Sequence, residues 1–326
     1  MRLAAIFACS AILLGGCGQR LATFPTQPSS AAVQLRTALQ TDAPHRKLYT
    51  VNNMGNSLTE YGSIASGNVA PQTTIAGTNT QLNAPINLTV TTLGSVYVTN
   101  LAANAVTKYA AGASGNAAPI AVITCGGLNL PDGVATDSAS NVYVANLQGG
   151  SISIFRPDAN GCAKAAHIIG RRTKLSRPSA LMISGSTIFV GNLNSHAITE
   201  YPASARGNVA PSAQILGGNT MLVNPVGIAS DAKHNLYVAD DSAQAIFVFA
   251  AGANGNVAPI RTIQGSNTQL NGPSGIVVTG RGITVTNPAS NSIATFPLTA
   301  NGNVAPTRVI QGSATQLNFP IGLAIH

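Results

Sequence analysis

Residues 225–264 read PVGIASDAKHNLYVADDSAQAIFVFAAGANGNVAPIRTIQ. Four short runs, 226–229, 235–240, 245–249 and 260–263, are rich in β-branched, aromatic and small apolar residues. Polar turn segments such as 231–234 and 251–256 separate them. We label the four strands so implied a, b, c and d. The same unit, about 47 residues long, recurs six times, and three marks carry its register. The first is Gly-Asn-Val-Ala-Pro, starting at Gly67, Gly207, Gly255 and Gly302, with weaker copies at Gly115 and Gly161. The second is the proline that opens strand a, at Pro85, Pro131, Pro178, Pro225, Pro273 and Pro320. The third is the centre of strand b, at Tyr49, Tyr97, Tyr143, Phe189, Tyr237 and Thr284. Every mark advances by 46 to 48 residues per step.

Four antiparallel strands in a unit of this length predict an all-β, six-bladed β-propeller of four-stranded antiparallel blades. Its closure is also written in the order of strands. The repeat begins at Lys47 with b, c and d and ends at His326 with strand a alone, so residues 321–324 are expected to pair with 48–52 and seal the ring. A single shared core over 47–326 follows, with no second domain. Charged residues make up only 8% of the 326, tryptophan is absent, and the formal charge is +8. A charge this thinly spread does not by itself imply a nucleic-acid partner, and none is expected.

The first 46 residues lie outside the repeat. Met1 and Arg2 precede an apolar run over 3–14 that closes on Leu14-Gly15-Gly16-Cys17. The run is too short for a permanent transmembrane helix. It resembles the bacterial lipobox, which implies a signal peptide over 1–16, cleavage before Cys17, acylation of Cys17, and attachment to a membrane through that lipid. Two or more acyl chains give stable anchoring where one is marginal. Gly18, where inner-membrane lipoproteins carry aspartate, implies the outer membrane, facing the periplasm or the cell surface. Residues 17–46 read as the lipidated cysteine and a flexible tether.

The repeat marks resemble the NHL repeat over residues 47–326, with 225–229 (PVGIA) and 235–240 (NLYVAD) as the nearest copy. That resemblance implies the propeller fold but not its ligand, since function lies in sites grafted onto such folds. A second family, the gluconolactonase-like propellers, is also six-bladed and holds a divalent metal at the channel mouth. The matching positions, each following the strand-a proline, are Ile86, Asp132, Ser179, Val226, Ser274 and Ile321. Only Asp132 suits a hard cation there, with Asn87 one residue out of register, so no metal or other cofactor is expected unless Asp132 anchors one. The five histidines (His45, His167, His196, His234 and His326) fall in different parts of the register and do not converge. Without a histidine pair the antibiotic-lyase type of propeller is disfavoured too.

Strand b ends in Asn52, Asn100, Asn146, Asn192, Asp240 and Asn287. A position that recurs in every blade serves the fold, and an Asx turn shaping each b-to-c hairpin is the expectation. The feature that breaks the symmetry is basic: Arg171, Arg172, Lys174 and Arg177 occupy one d-to-a link. They suit an anionic partner such as a phosphate-bearing glycan, a lipid headgroup or an acidic protein surface, on the face that also carries Asp132 and the Asp240-Asp241 pair. Cys125 and Cys162 remain after Cys17. An exported compartment favours a bond between them. The register opposes it, placing Cys125 at a strand-d end and Cys162 in the next blade's c-to-d loop, on opposite faces. The expected role is therefore a monomeric, non-catalytic binding or scaffold module of the cell envelope. A lactonase or hydrolase at Asp132, and self-association through exposed strand-d edges, are the alternatives.

Overall fold

The computed structural model describes residues 46–326; the lipobox, Cys17, the tether and His45 lie outside the described residues. The repeat folds into six four-stranded antiparallel sheets. The unit quoted above forms strands Pro225–Ser230, Leu236–Asp240, Ala245–Phe249 and Arg261–Gln264, each within a residue or two of its expected limits. Strands a of neighbouring blades contact one another all the way round, so the sheets stand as a closed ring about a central channel. Strand Pro320–Ile325 pairs with Lys47–Asn52, matching Tyr49 with Ala324 and Thr50 with Leu323, and completes blade 1 as expected.

Each hydrophobic cluster lies between two consecutive blades rather than within one. Ala229, Tyr237 and Ile246 of blade 5, for example, pack against Ile276, Ile283 and Phe296 of blade 6. A blade alone leaves a face exposed, and burial of each large side chain at the boundary stabilises the ring by roughly 1.5–3 kcal/mol. The Pro-x-Gly of strand a sets the spacing of the inner ring. A Cβ on Gly227 would sit 2.0 Å from the Ser274 carbonyl oxygen, and one on Gly133 would sit 2.1 Å from that of Ser179.

The outer boundary is locked by the Gly-Asn-Val-Ala-Pro loop. Its glycine forms a parallel bridge with strand d of the preceding blade at all six boundaries, as in Ile75 with Gly115 and Ile215 with Gly255. Each strand-d edge is thereby covered in part by the next blade. At five boundaries the asparagine of the loop then accepts, through Oδ1, a backbone N–H of the 3-10 turn that opens the d-to-a link. The donors are Asn79, Arg172, Asn219, Asn267 and Ala314, at 2.7–2.8 Å. Facing each of these asparagines is a glycine (Gly77, Gly170, Gly217, Gly265, Gly312) with φ of 121–127°. A Cβ on any of the five would lie 2.5 Å from the asparagine side chain.

The boundary between blades 2 and 3 departs from this pattern. Cys125 stands at the glycine position and Cys162 at the asparagine position, and the two are joined in a disulfide with Cα atoms 4.5 Å apart. The sequence register had argued against this bond. It placed the c-to-d loop on the far face, whereas the parallel bridge of Gly161 with Ile123 carries that loop across the boundary to the end of strand d. The link that follows is two residues shorter than the others, eight from Ile123 to Pro131 against ten from Ile75 to Pro85, and it forms no 3-10 turn.

Candidate functional site

The prolines opening strand a bring Ile86, Asp132, Ser179, Val226, Ser274 and Ile321 together around one mouth of the channel. They line a recess of about 240 Å³ with Asn87 and Asp241. Below it, strands a of all six blades wall a channel of about 390 Å³ with mostly aliphatic side chains. Asp132 is partly buried in this setting. Burial pushes its carboxyl up to about 6, against the opposing pull of a Ser179 hydrogen bond and the nearby Arg177 guanidinium. Arg177 thus ties the two sequence-derived sites together, the basic link and the mouth.

The link itself is rigid at its backbone and free at its side chains. Arg171–Thr173 forms the 3-10 turn. The Arg172 N–H is held by Asn208 and the Ser176 N–H by Asn192, while the Leu193 N–H donates to the Arg177 carbonyl. Arg171, Arg172, Lys174 and Arg177 are all exposed, and none forms an ion pair among the described residues. Four exposed cations on a hydrogen-bonded frame present a positive surface beside the mouth.

Strand-b termini behave differently from the expected turn. All six residues are fully buried. Their Oδ1 atoms reach back to the d-to-a link of their own blade, accepting from the N–H of Asn318, Asn83, Asn129, Ser176, Asn224 and Asn271 in turn. In four blades the Nδ2 donates forward to a hydroxyl seven residues on: Thr59, Thr107, Ser153 and Thr199. In blade 5 that position is Phe247, and the ring residue is Asp240, which has no N–H to satisfy. In blade 6 it is Ala294, and the Asn287 amide nitrogen is buried without a partner among the described residues.

A hard cation does not fit the mouth. Of its two carboxylates, Asp132 is already engaged by the Ser179 hydrogen bond, the Asp241 oxygen Oδ1 already accepts from Asn224 Nδ2 and Ser242 Oγ, and Ile86, Val226 and Ile321 fill half of the ring positions. No group of three or more His, Cys, Asp or Glu side chains able to hold a metal ion occurs among the described residues. His167, His196, His234 and His326 sit in a strand d, a b-to-c turn, an a-to-b turn and the C-terminus, apart from one another.

No protein-family model matches the sequence, and no curated protein matches it. Solved structures do match. A nidogen/laminin complex superposes with a TM-score of 0.64 at 15% identity, covering 86% of this chain and 98% of the other. A Bacteroides caccae protein of unknown function gives 0.63 at 9% identity, covering 87% and 99%. A streptogramin B lyase gives 0.59 at 15% identity, covering 85% and 83%. At such identities the likeness is one of fold, shared by a binding complex and an enzyme alike.

Proposed function

We propose that this propeller is a non-catalytic binding module of the cell envelope, an NHL-type ring held at the membrane by an acylated Cys17. It docks an anionic, phosphate-bearing glycan on the link of Arg171, Arg172, Lys174 and Arg177. The supporting observation is the asymmetry of that link. The corresponding links are uncharged, as in 264–271, whereas this one carries four exposed cations that form no ion pair among the described residues, on a backbone held by Asn192 and Asn208. Arginine forks and a lysine suit phosphate groups, and an exposed site of this kind binds in a salt-dependent way.

The test is surface binding of the full chain in detergent to phosphorylated lipopolysaccharide and to its dephosphorylated form. Preferential, salt-sensitive capture of the phosphorylated form, lost when all four basic residues become glutamine, is the expected result. Equal capture of both forms, or capture unaffected by the four substitutions, sinks the reading. A lactonase at Asp132 is separated by a divalent-metal titration: stoichiometric binding abolished by Asp132→Asn would favour it over the binding module.

A further inference from the structure

Strand c carries a glutamate at the same position in blades 1 and 4, Glu60 and Glu200, and the two have different company. Glu60 is buried, and the Lys47 ammonium sits 2.9 Å from its Oε1. The Tyr49 hydroxyl, opposite it in the ladder, is hydrogen-bonded to it as well. In blade 4 the ladder puts Phe189 where blade 1 has Tyr49, and Thr187 where it has Lys47. Glu200 therefore keeps its place in the sheet without either partner, and its carboxylate makes no hydrogen bond or ion pair among the described residues. Burial alone pushes its pKa upward.

A cavity of about 250 Å³ opens beside it between blades 4 and 5, on the face of the a-to-b turns and c-to-d loops, opposite the basic link. Ser184, Ser186 and Thr187 bring hydroxyls to its wall, Phe189 a ring, and Ile215 and Leu236 aliphatic surface. The ionisable side chains lining it are Glu200 and His234. We infer that this cavity binds a primary alkylammonium group, which takes the place that the Lys47 ammonium occupies beside Glu60. Glu200 supplies the counter-charge in a charge-assisted hydrogen bond. An ammonium has three N–H donors, and the surrounding hydroxyls accept those that Glu200 does not. The Phe189 ring adds a cation–π contact, and the aliphatic wall takes the methylene chain. The volume suits a small ligand or a single side chain rather than a larger molecule.

Calorimetric titration of the full chain in detergent with putrescine, and separately with Nα-acetyl-lysine N-methylamide, tests this. Saturable binding of at least one, with Kd on the order of 1 mM or tighter, is expected. Tighter binding of putrescine identifies a free amine as the occupant, and tighter binding of the lysine derivative identifies a protein side chain. Glu200→Gln should weaken binding at least about tenfold. Thr187→Lys should rebuild the ion pair of blade 1 within blade 4, abolishing binding and raising the melting temperature. No saturable binding of either amine, or unchanged affinity in Glu200→Gln, overturns the proposal.

Discussion

Five blade boundaries are held by a glycine facing an asparagine, and the sixth by two cysteines facing each other. The positions are equivalent, so the difference is a paired replacement. Glycine is required at the five because the backbone has φ above 120° there and the asparagine leaves no room for a Cβ. Cys125 does not share the positive φ of the five glycines, so its Cβ meets no backbone strain, and the opposing asparagine is replaced too, so that the two side chains become one covalent link. The same logic governs Asp240 with Phe247, where a residue without N–H donors faces a residue without an acceptor. Asn287 with Ala294 shows the other case, in which one partner changed alone and a buried donor is left over.

The boundary comparison is broken or sharpened most strongly at the disulfide. Replacing Cys125 and Cys162 by serine should cost about 4 kcal/mol in the chain-entropy picture of a loop of this length, a fall of roughly 10 °C in melting temperature. The decisive variant pairs Cys125→Gly with Cys162→Asn. Because the short link has no 3-10 turn to offer its N–H, this pair should stay well below the native melting temperature; full recovery would show the boundaries to be interchangeable.

Next comes Gly217→Ala, expected to cost about 3 kcal/mol from strain and the clash with Asn256. A double-mutant cycle in urea with Asn256→Ala should return a clear coupling energy, and strict additivity would refute the account of the pair.

Asp132 is a one-sided change at the channel mouth, a charge placed where other blades carry Ile, Ser or Val. Its carboxyl binds a proton more readily in the folded protein (pKa about 6) than in the open chain (3.8). The folded state thus holds the extra proton between those values, and stability falls as pH rises from about 4 through about 6. Asp132→Asn should raise stability by about 1–3 kcal/mol at pH 7.5 and leave it unchanged below pH 4, read from chemical melts at both pH values. The smallest effect is Ala294→Ser, which returns an acceptor to Asn287. A gain of about 1 kcal/mol is expected, and a loss would mean that no room exists for the hydroxyl.

Repetition made most of the fold legible. The strand limits to within a residue or two, the six prolines and the closing pairing of 321–324 with 48–52 follow from marks that recur, since each blade must satisfy the same pleat, turns and neighbours. The mouth positions and the basic link were legible for the same reason: a fixed register says which residues share a ring. Contacts across blade boundaries were not. A four-strand blade viewed alone places Cys162 on the wrong face, because the crossing of the Gly-Asn loop onto the preceding strand d is a tertiary fact. A signal existed, however. Aligning Gly161-Cys162 with the other Gly-Asn pairs, and Cys125 with Gly77, shows both replacements in step. The Glu200 cavity left a similar trace, with Thr187 and Phe189 standing where Lys47 and Tyr49 accompany Glu60.

The seam in blade 1 also has a consequence in time. Five blades form from strands that follow one another closely along the chain, whereas the bond from Thr50 Oγ1 to the Gly322 carbonyl spans 272 residues. Contacts of such long range are slow to form, because the chain's freedom must be spent before they reward it. The pairing that closes blade 1 is accordingly expected to form late in assembly. Until it closes, the Lys47–Asn52 strand is an unpaired edge, the point at which an unfinished ring is exposed to another chain.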